Sequence, residues 1–347
     1  MAVLQQRQDF CRKMEVRMNP FEPHPLLRNP HAQTLASAFL PRRFPRLPAG
    51  VVREFETEPG TRIRGYCHWQ AVPLERPTLV LVHGLEGSSD SGYMLGLAER
   101  AFVAGWNAVR LNQRNCGGTE SLTPTLYNSG LSGDYLAVLN ELIERDLLPE
   151  IFFAGYSMGG NLVLKMAGEL AGRAPRQLRG VASVCATMEL AACADALSLP
   201  ANFLYEWHFV RNLKRRMRRK AALFPWKFDL GPLDRVRSVR EFDDVITARY
   251  CGFRDADDYY AQSSALRVAA EIRVPTLALI SQDDPFVPFA SYSHPAVVNN
   301  THIQVIAPAN GGHCAFLSRH PRAARFWAEA SLMEFFASCE SQSASSI

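Results

Sequence analysis

The 347-residue sequence predicts an α/β fold: a mostly parallel central sheet with helices on both faces, interrupted by a helical cap insertion. Three observations carry that expectation. Short apolar runs of strand length alternate with stretches of helical period, the rhythm of a parallel sheet covered on both sides. The rhythm stops between 186 and 270, where helical patterns follow one another without a strand candidate. Finally, one strand candidate leads through a glycine-bracketed serine straight into a helix.

Taken in order, residues 1–18 mix charge throughout and hold no apolar leader core, and Met14 and Met18 offer alternative starts. This segment is expected to be disordered or a non-native extension. Residues 19–50 are proline-rich, with a single helical stretch near 31–39, and read as an ordered N-terminal arm laid over a larger body. Alternation of apolar and polar residues over 51–72 predicts a hairpin turning at Pro59-Gly60. Buried strands are expected at 78–82 (TLVLV), 107–111 (NAVRL), 151–155 (IFFAG), 180–185 (GVASVC), 276–281 (TLALIS) and 303–307 (IQVIA). Helical period marks 91–104, 132–146 and 160–172. The core is thus expected at 51–185 and 271–337, and the cap at 186–270. The cap is rich in aromatics, of which Phe203, Trp207 and Phe209 are candidates for lining an apolar channel over the sheet. The polar tail 338–347 is expected to fray.

Composition narrows the class. With 47% hydrophobic residues and 21% charged, the chain can bury a sizeable core, which excludes disorder and small disulfide-stapled scaffolds. A net charge of +4 gives no reason to expect a nucleic-acid partner. The eight cysteines form no C-x-x-C pair and no zinc-finger spacing, so neither disulfides nor a metal site are expected. No run approaches the ~18 apolar residues that cross a bilayer, and the expected location is cytoplasmic.

The chemistry concentrates in a few loops. Gly155-Tyr156-Ser157-Met158-Gly159 is a G-x-S-x-G sequence between a strand and a helix. A sharp turn there exposes the serine hydroxyl, its glycines let neighbouring backbone approach, and the helix N-terminus favours developing negative charge. The structural alternative is a tight turn with a capping serine. A serine nucleophile needs a base oriented by a carboxylate, and the chain supplies candidates downstream in the order acid, then histidine. Asp283 and Asp284 follow one strand candidate, and His313 follows the last one. Either acid has the right place in the sequence. Oxyanion donors are expected from the backbone N–H groups of Leu85, in the His83-Gly84-Leu85-Glu86-Gly87 loop, and of Met158. His83 is read as orienting its loop. No H-E-x-x-H, phosphate-binding loop or dinucleotide fingerprint is present, and no cofactor is expected. The run Lys214 to Lys220 places six cations in seven positions, a solvated helix face or a peripheral contact for an anionic membrane.

These residues resemble the α/β-hydrolase superfamily, and within it the branch of YheT-like bacterial hydrolases, plant embryogenesis-associated EMB8-like proteins and abhydrolase-domain lipid hydrolases. The resemblance spans roughly 20–337. It rests on NPHAQT (29–34), HGLEGSSDSGY (83–93), NQRNCGGTE (112–120), GYSMGGN (155–161), REFDD (240–244), DDPFVP (283–288) and GGHCAF (311–316). It implies an ester hydrolase acting on acyl chains, and it selects Asp284 over Asp283 as the acid. Asn115 stands where the family's loop usually has a small residue. The leading expectation is a serine esterase acting on a small-molecule or lipid ester. An alcohol O-acyltransferase with the same Ser157, Asp284 and His313 is the second reading, and a catalytically silent lipid-binding protein the third.

Overall fold

The structure is a computed structural model and describes residues 19–320 and 325–344. The expected extension 1–18 therefore lies outside the described residues.

The chain enters through α1 (Pro30–Phe39), whose N-cap Asn29 accepts a hydrogen bond from the Ala32 N–H, with proline at the first helical position. The hairpin strands β1 (Val51–Glu58) and β2 (Thr61–His68) meet around Pro59 and Gly60, as the alternation predicts. There follow β3 (Thr78–Val82), α2 (Gly92–Val103), β4 (Asn107–Leu111), α3 (Ser132–Glu144), β5 (Ile151–Tyr156), α4 (Met158–Leu170) and β6 (Leu178–Val184). After β6 come α5 (Leu190–Leu197), the long α6 (Phe203–Leu223) and α7 (Ala256–Ser263), with shorter helical turns between them. The sheet resumes with β7 (Thr276–Leu279) and β8 (Ile303–Ile306), and α8 (Trp327–Ala344) ends the described chain.

The eight strands form one sheet in the order β1-β2-β4-β3-β5-β6-β7-β8. The pairs β1/β2 and β2/β4 are antiparallel, and every later pair is parallel. Every residue of β3, β4 and β5 is buried, which is why these strands read as continuous apolar runs rather than alternating ones. The parallel strands all end on one edge, and the loops leaving β3, β5, β7 and β8 carry the candidate residues there.

Two expectations are corrected. The tail from Ser338 does not begin as a frayed end: it continues α8, with Cys339 buried in the core and the Ser338 hydroxyl bonded back to the Phe335 carbonyl. A polar composition looks like a disordered tail when read without the apolar residues earlier in the same helix. The basic run is not one solvated face either. Arg216 and Lys220 are buried; Arg216 pairs with Glu86, and Lys220 Nζ donates to the Glu120 and Thr123 carbonyls. Arg218 and Arg219 pair with Asp234 and Glu120. Helical period explains the split, since residues four apart share one face.

A candidate active site at the strand C-termini

Ser157 occupies the turn between β5 and α4 with φ 53° and ψ −120°, a conformation that an ordinary side chain seldom adopts. The turn is locked on both sides. The Ser157 N–H donates to the Val184 carbonyl at 2.8 Å, and its own carbonyl accepts from the Asn161 N–H at 3.1 Å. Close approach explains the two glycines: a Cβ on Gly155 would stand 2.2 Å from the Gly159 carbonyl oxygen, and one on Gly159 2.4 Å from the Val82 oxygen. The GYSMG pentapeptide is thus a steric requirement of this turn, and it leaves the serine partly exposed.

Asp284 and His313 come together. Asp284 Oδ2 lies 2.8 Å from His313 Nδ1, while Oδ1 accepts the N–H groups of Phe286 and Val287 at 3.1 and 2.9 Å. The carboxylate is fully buried. Its neighbour Asp283 faces the other way, accepting from the Gly312 N–H at 2.9 Å and from Asn310 Nδ2 at 3.3 Å. One acid therefore holds the ring and the other holds the loop that carries it. Burial opposes a charge on the His313 imidazole, but the Asp284 carboxylate outweighs it and raises the ring above its ordinary value of 6.5.

Ser157 and His313 line the same open cavity, of about 780 Å³, although no hydrogen bond joins them among the described residues. Ser157 also lines a smaller, mostly apolar chamber of about 100 Å³. Leu85 and Met158, the two residues expected to supply backbone donors, border that chamber with the serine. As the first residue of α4, Met158 carries an N–H that no carbonyl of its own helix can reach. His83 is buried and pushed down to about 4 by that burial, hence neutral. Its Nε2 accepts the Gln113 N–H at 3.1 Å, which leaves Nδ1–H to donate to the Gly84 carbonyl at 2.8 Å. It braces the loop, as expected.

The cap reaches this loop. Tyr127 donates to Glu86 at 2.8 Å and accepts from Arg216 Nη2 at 2.6 Å, so α6 is tied to the segment next to Leu85. Of the three aromatics proposed for a channel, Phe209 borders both cavities and Trp207 the open one. Phe203 is a correction: it is 62% exposed and borders neither, because it begins α6 on the outer face.

Sequence reasoning also missed how the arm serves the site. Thr34 Oγ1 accepts the His313 N–H at 2.9 Å, and Gln33 Oε1 accepts the Leu317 N–H at 2.8 Å. Gly312, at φ 58°, passes so near α1 that a Cβ would lie 2.6 Å from the Pro30 oxygen. The NPHAQT stretch is a clamp on the histidine loop. Asn115 adopts φ 65°, a left-handed conformation that asparagine tolerates, so it replaces a small residue without disturbing its turn.

A family described as "alpha/beta hydrolase fold" matches residues 77–319. The chain belongs to that family. Within it, YheT of Escherichia coli, a candidate esterase by its name, is 31% identical over 272 residues, covering 77% of this chain and 79% of its own. The mouse phospholipase ABHD3 is 31% identical over 245 residues, covering 70% of this chain and 59% of its own. A monoacylglycerol lipase of Saccharomyces cerevisiae is 26% identical over 269 residues, 75% of this chain and 59% of its own. The chain therefore spans little more than half of the latter two. Among solved structures, the 2,6-dihydroxy-pseudo-oxynicotine hydrolase superposes with a TM-score of 0.57 at 18% identity, covering 88% of this chain and 72% of that one. The Pyrococcus furiosus esterase Pf2001 gives 0.55 at 13% identity, covering 83% and 92%. At such identities the likeness is one of fold. The YheT, ABHD3 and yeast relatives are esterases and lipases by their names, and among the described residues no helix is long and apolar enough to cross a membrane.

Proposed function

We propose that the protein is a serine hydrolase that cleaves carboxylic esters of short- to medium-chain acyl or lipid substrates through an acyl-enzyme on Ser157. The observation that carries this reading is the strained serine at the strand–helix turn, sharing a cavity with a histidine whose far nitrogen is held by a buried carboxylate. In the proposed mechanism His313 takes the Ser157 proton as the hydroxyl attacks the ester carbonyl, and Asp284 stabilises the charged ring. The Leu85 and Met158 N–H groups then face the developing oxyanion, where preorganised donors contribute most. His313 returns the proton to the departing alcohol, and water releases the acid by the reverse path.

The two cavities suggest how a substrate sits. The smaller chamber, bordered by the apolar side chains Leu190, Leu197, Leu213, Phe209 and Phe242, suits an acyl chain. The larger, open one suits the alcohol portion and the entering water. Purified protein should hydrolyse p-nitrophenyl esters, and Ser157→Ala should lower kcat by ~10³-fold or more while the protein stays folded. Near-normal turnover by the folded variant would refute the assignment. Product analysis with an added alcohol tells hydrolysis from acyl transfer.

A further inference from the structure

Two cysteines far apart in the sequence meet beside His313. Cys185 follows β6 and is fully buried; Cys314 follows the histidine directly and borders the open cavity. The Cys314 N–H donates to Cys185 Sγ at 3.3 Å. Their two sulfurs and a ring nitrogen of His313 all lie within 4.8 Å of one another. Cys185 also approaches the Gly312 carbonyl at 3.8 Å, and Cys314 the Val184 carbonyl at 3.4 Å. Among the described residues this is the only such group of potential metal ligands.

We propose that Cys185, Cys314 and His313 form a site for a soft divalent cation of the zinc class, and that its occupation switches the histidine off. Two sulfurs and one imidazole are a donor set that zinc prefers over calcium or magnesium. At ordinary Zn–S and Zn–N bond lengths the ligands of a tetrahedral ion lie about 3.5 Å apart, so a contraction of about an ångström closes the site. Binding displaces whatever protons the two sulfurs and His313 Nε2 carry, and the two thiolates balance the charge of the ion. The open cavity gives the ion its entry path and leaves a fourth position for water. Because His313 Nδ1 is held by Asp284, the nitrogen left for the metal is Nε2, the one that must accept the serine proton. Metal and proton compete for one lone pair. The inhibition rests on the serine-hydrolase reading; the binding does not.

The experiment separates the two. Co²⁺ is titrated into the full-length Ser157→Ala protein, and the thiolate-to-cobalt charge-transfer band is followed. The band should saturate near about one equivalent and vanish in Cys314→Ala and in Cys185→Ala, the second variant serving should the first fail to fold. In the unsubstituted protein, Zn²⁺ should lower ester hydrolysis by about tenfold or more, EDTA should restore it, and Cys314→Ala should hold its own metal-free rate in zinc. A cysteine-dependent band in a protein that hydrolyses no ester would keep the site and sink the serine-hydrolase reading. Absence of a band in folded protein, a band surviving both substitutions, or hydrolysis indifferent to zinc would overturn the proposal.

Discussion

At the scale of single residues, two adjacent aspartates separate cleanly by what they touch. Asp284→Asn removes the carboxylate that fixes the His313 ring and should cost ~10³ to 10⁴ in rate, as for triad acids generally. Asp283→Asn loosens the loop through the Gly312 and Asn310 contacts and should cost far less. Steady-state kinetics on the pair checks this, and the reverse ranking would exchange their roles. The same contact sets a pH dependence. A base must be neutral to accept a proton, so kcat/KM should fall as the pH drops through the pKa of His313. Asp284 raises that pKa, which places the acid limb above pH 6.5. In Asp284→Asn the limb should move down. A limb that stays in place would mean another group governs it.

At the scale of elements, the arm and the cap each act on the site through a loop. Thr34 in α1 is a positioning residue, since it accepts the backbone N–H of His313. Thr34→Val leaves that donor unpaired, a local cost of about 1–3 kcal/mol. Melting temperature should fall by a few degrees and hydrolysis should slow while the protein stays folded, and Thr34→Ser should recover most of both. A Thr34→Ser variant as slow as Thr34→Val would point to packing instead. The cap tie is costlier to break. Arg216→Ala removes the cation beside the nearly buried Glu86 carboxylate and leaves it only the Tyr127 hydroxyl, which should cost up to about 3–5 kcal/mol. Denaturant unfolding measures it; a loss below about 1 kcal/mol would mean that the pair is solvated. Chain selectivity belongs to this scale as well. A chamber lined by apolar side chains gains up to ~0.8 kcal/mol per buried methylene, so esters of about six to twelve carbons should outrun acetate. A steady decline from acetate upward in an ester series would show that the chamber excludes chains.

At the scale of the whole molecule, the parallel strands were legible because they are buried on both faces and need no partner residue to be recognised. TLVLV and NAVRL begin and end where the strands do. The serine turn was legible because steric demands within five residues dictate its glycines. What stayed hidden depends on contacts between distant parts of the chain. Nothing near Arg216 or Lys220 announces that their partners sit around residues 86 and 120. Thr34 lies 279 residues before the N–H it receives, and Cys185 lies 129 before the cysteine it meets. Phe203 failed for a related reason, since aromatic content does not say which helix face turns outward. The central claim is that the whole fold serves one activated serine. Mass spectrometry of protein treated with a fluorophosphonate tests it most directly. One adduct is expected, on the peptide carrying Ser157, lost in Ser157→Ala and slowed in Asp284→Asn. Folded, unlabelled protein, or an adduct that persists in Ser157→Ala, would contradict it.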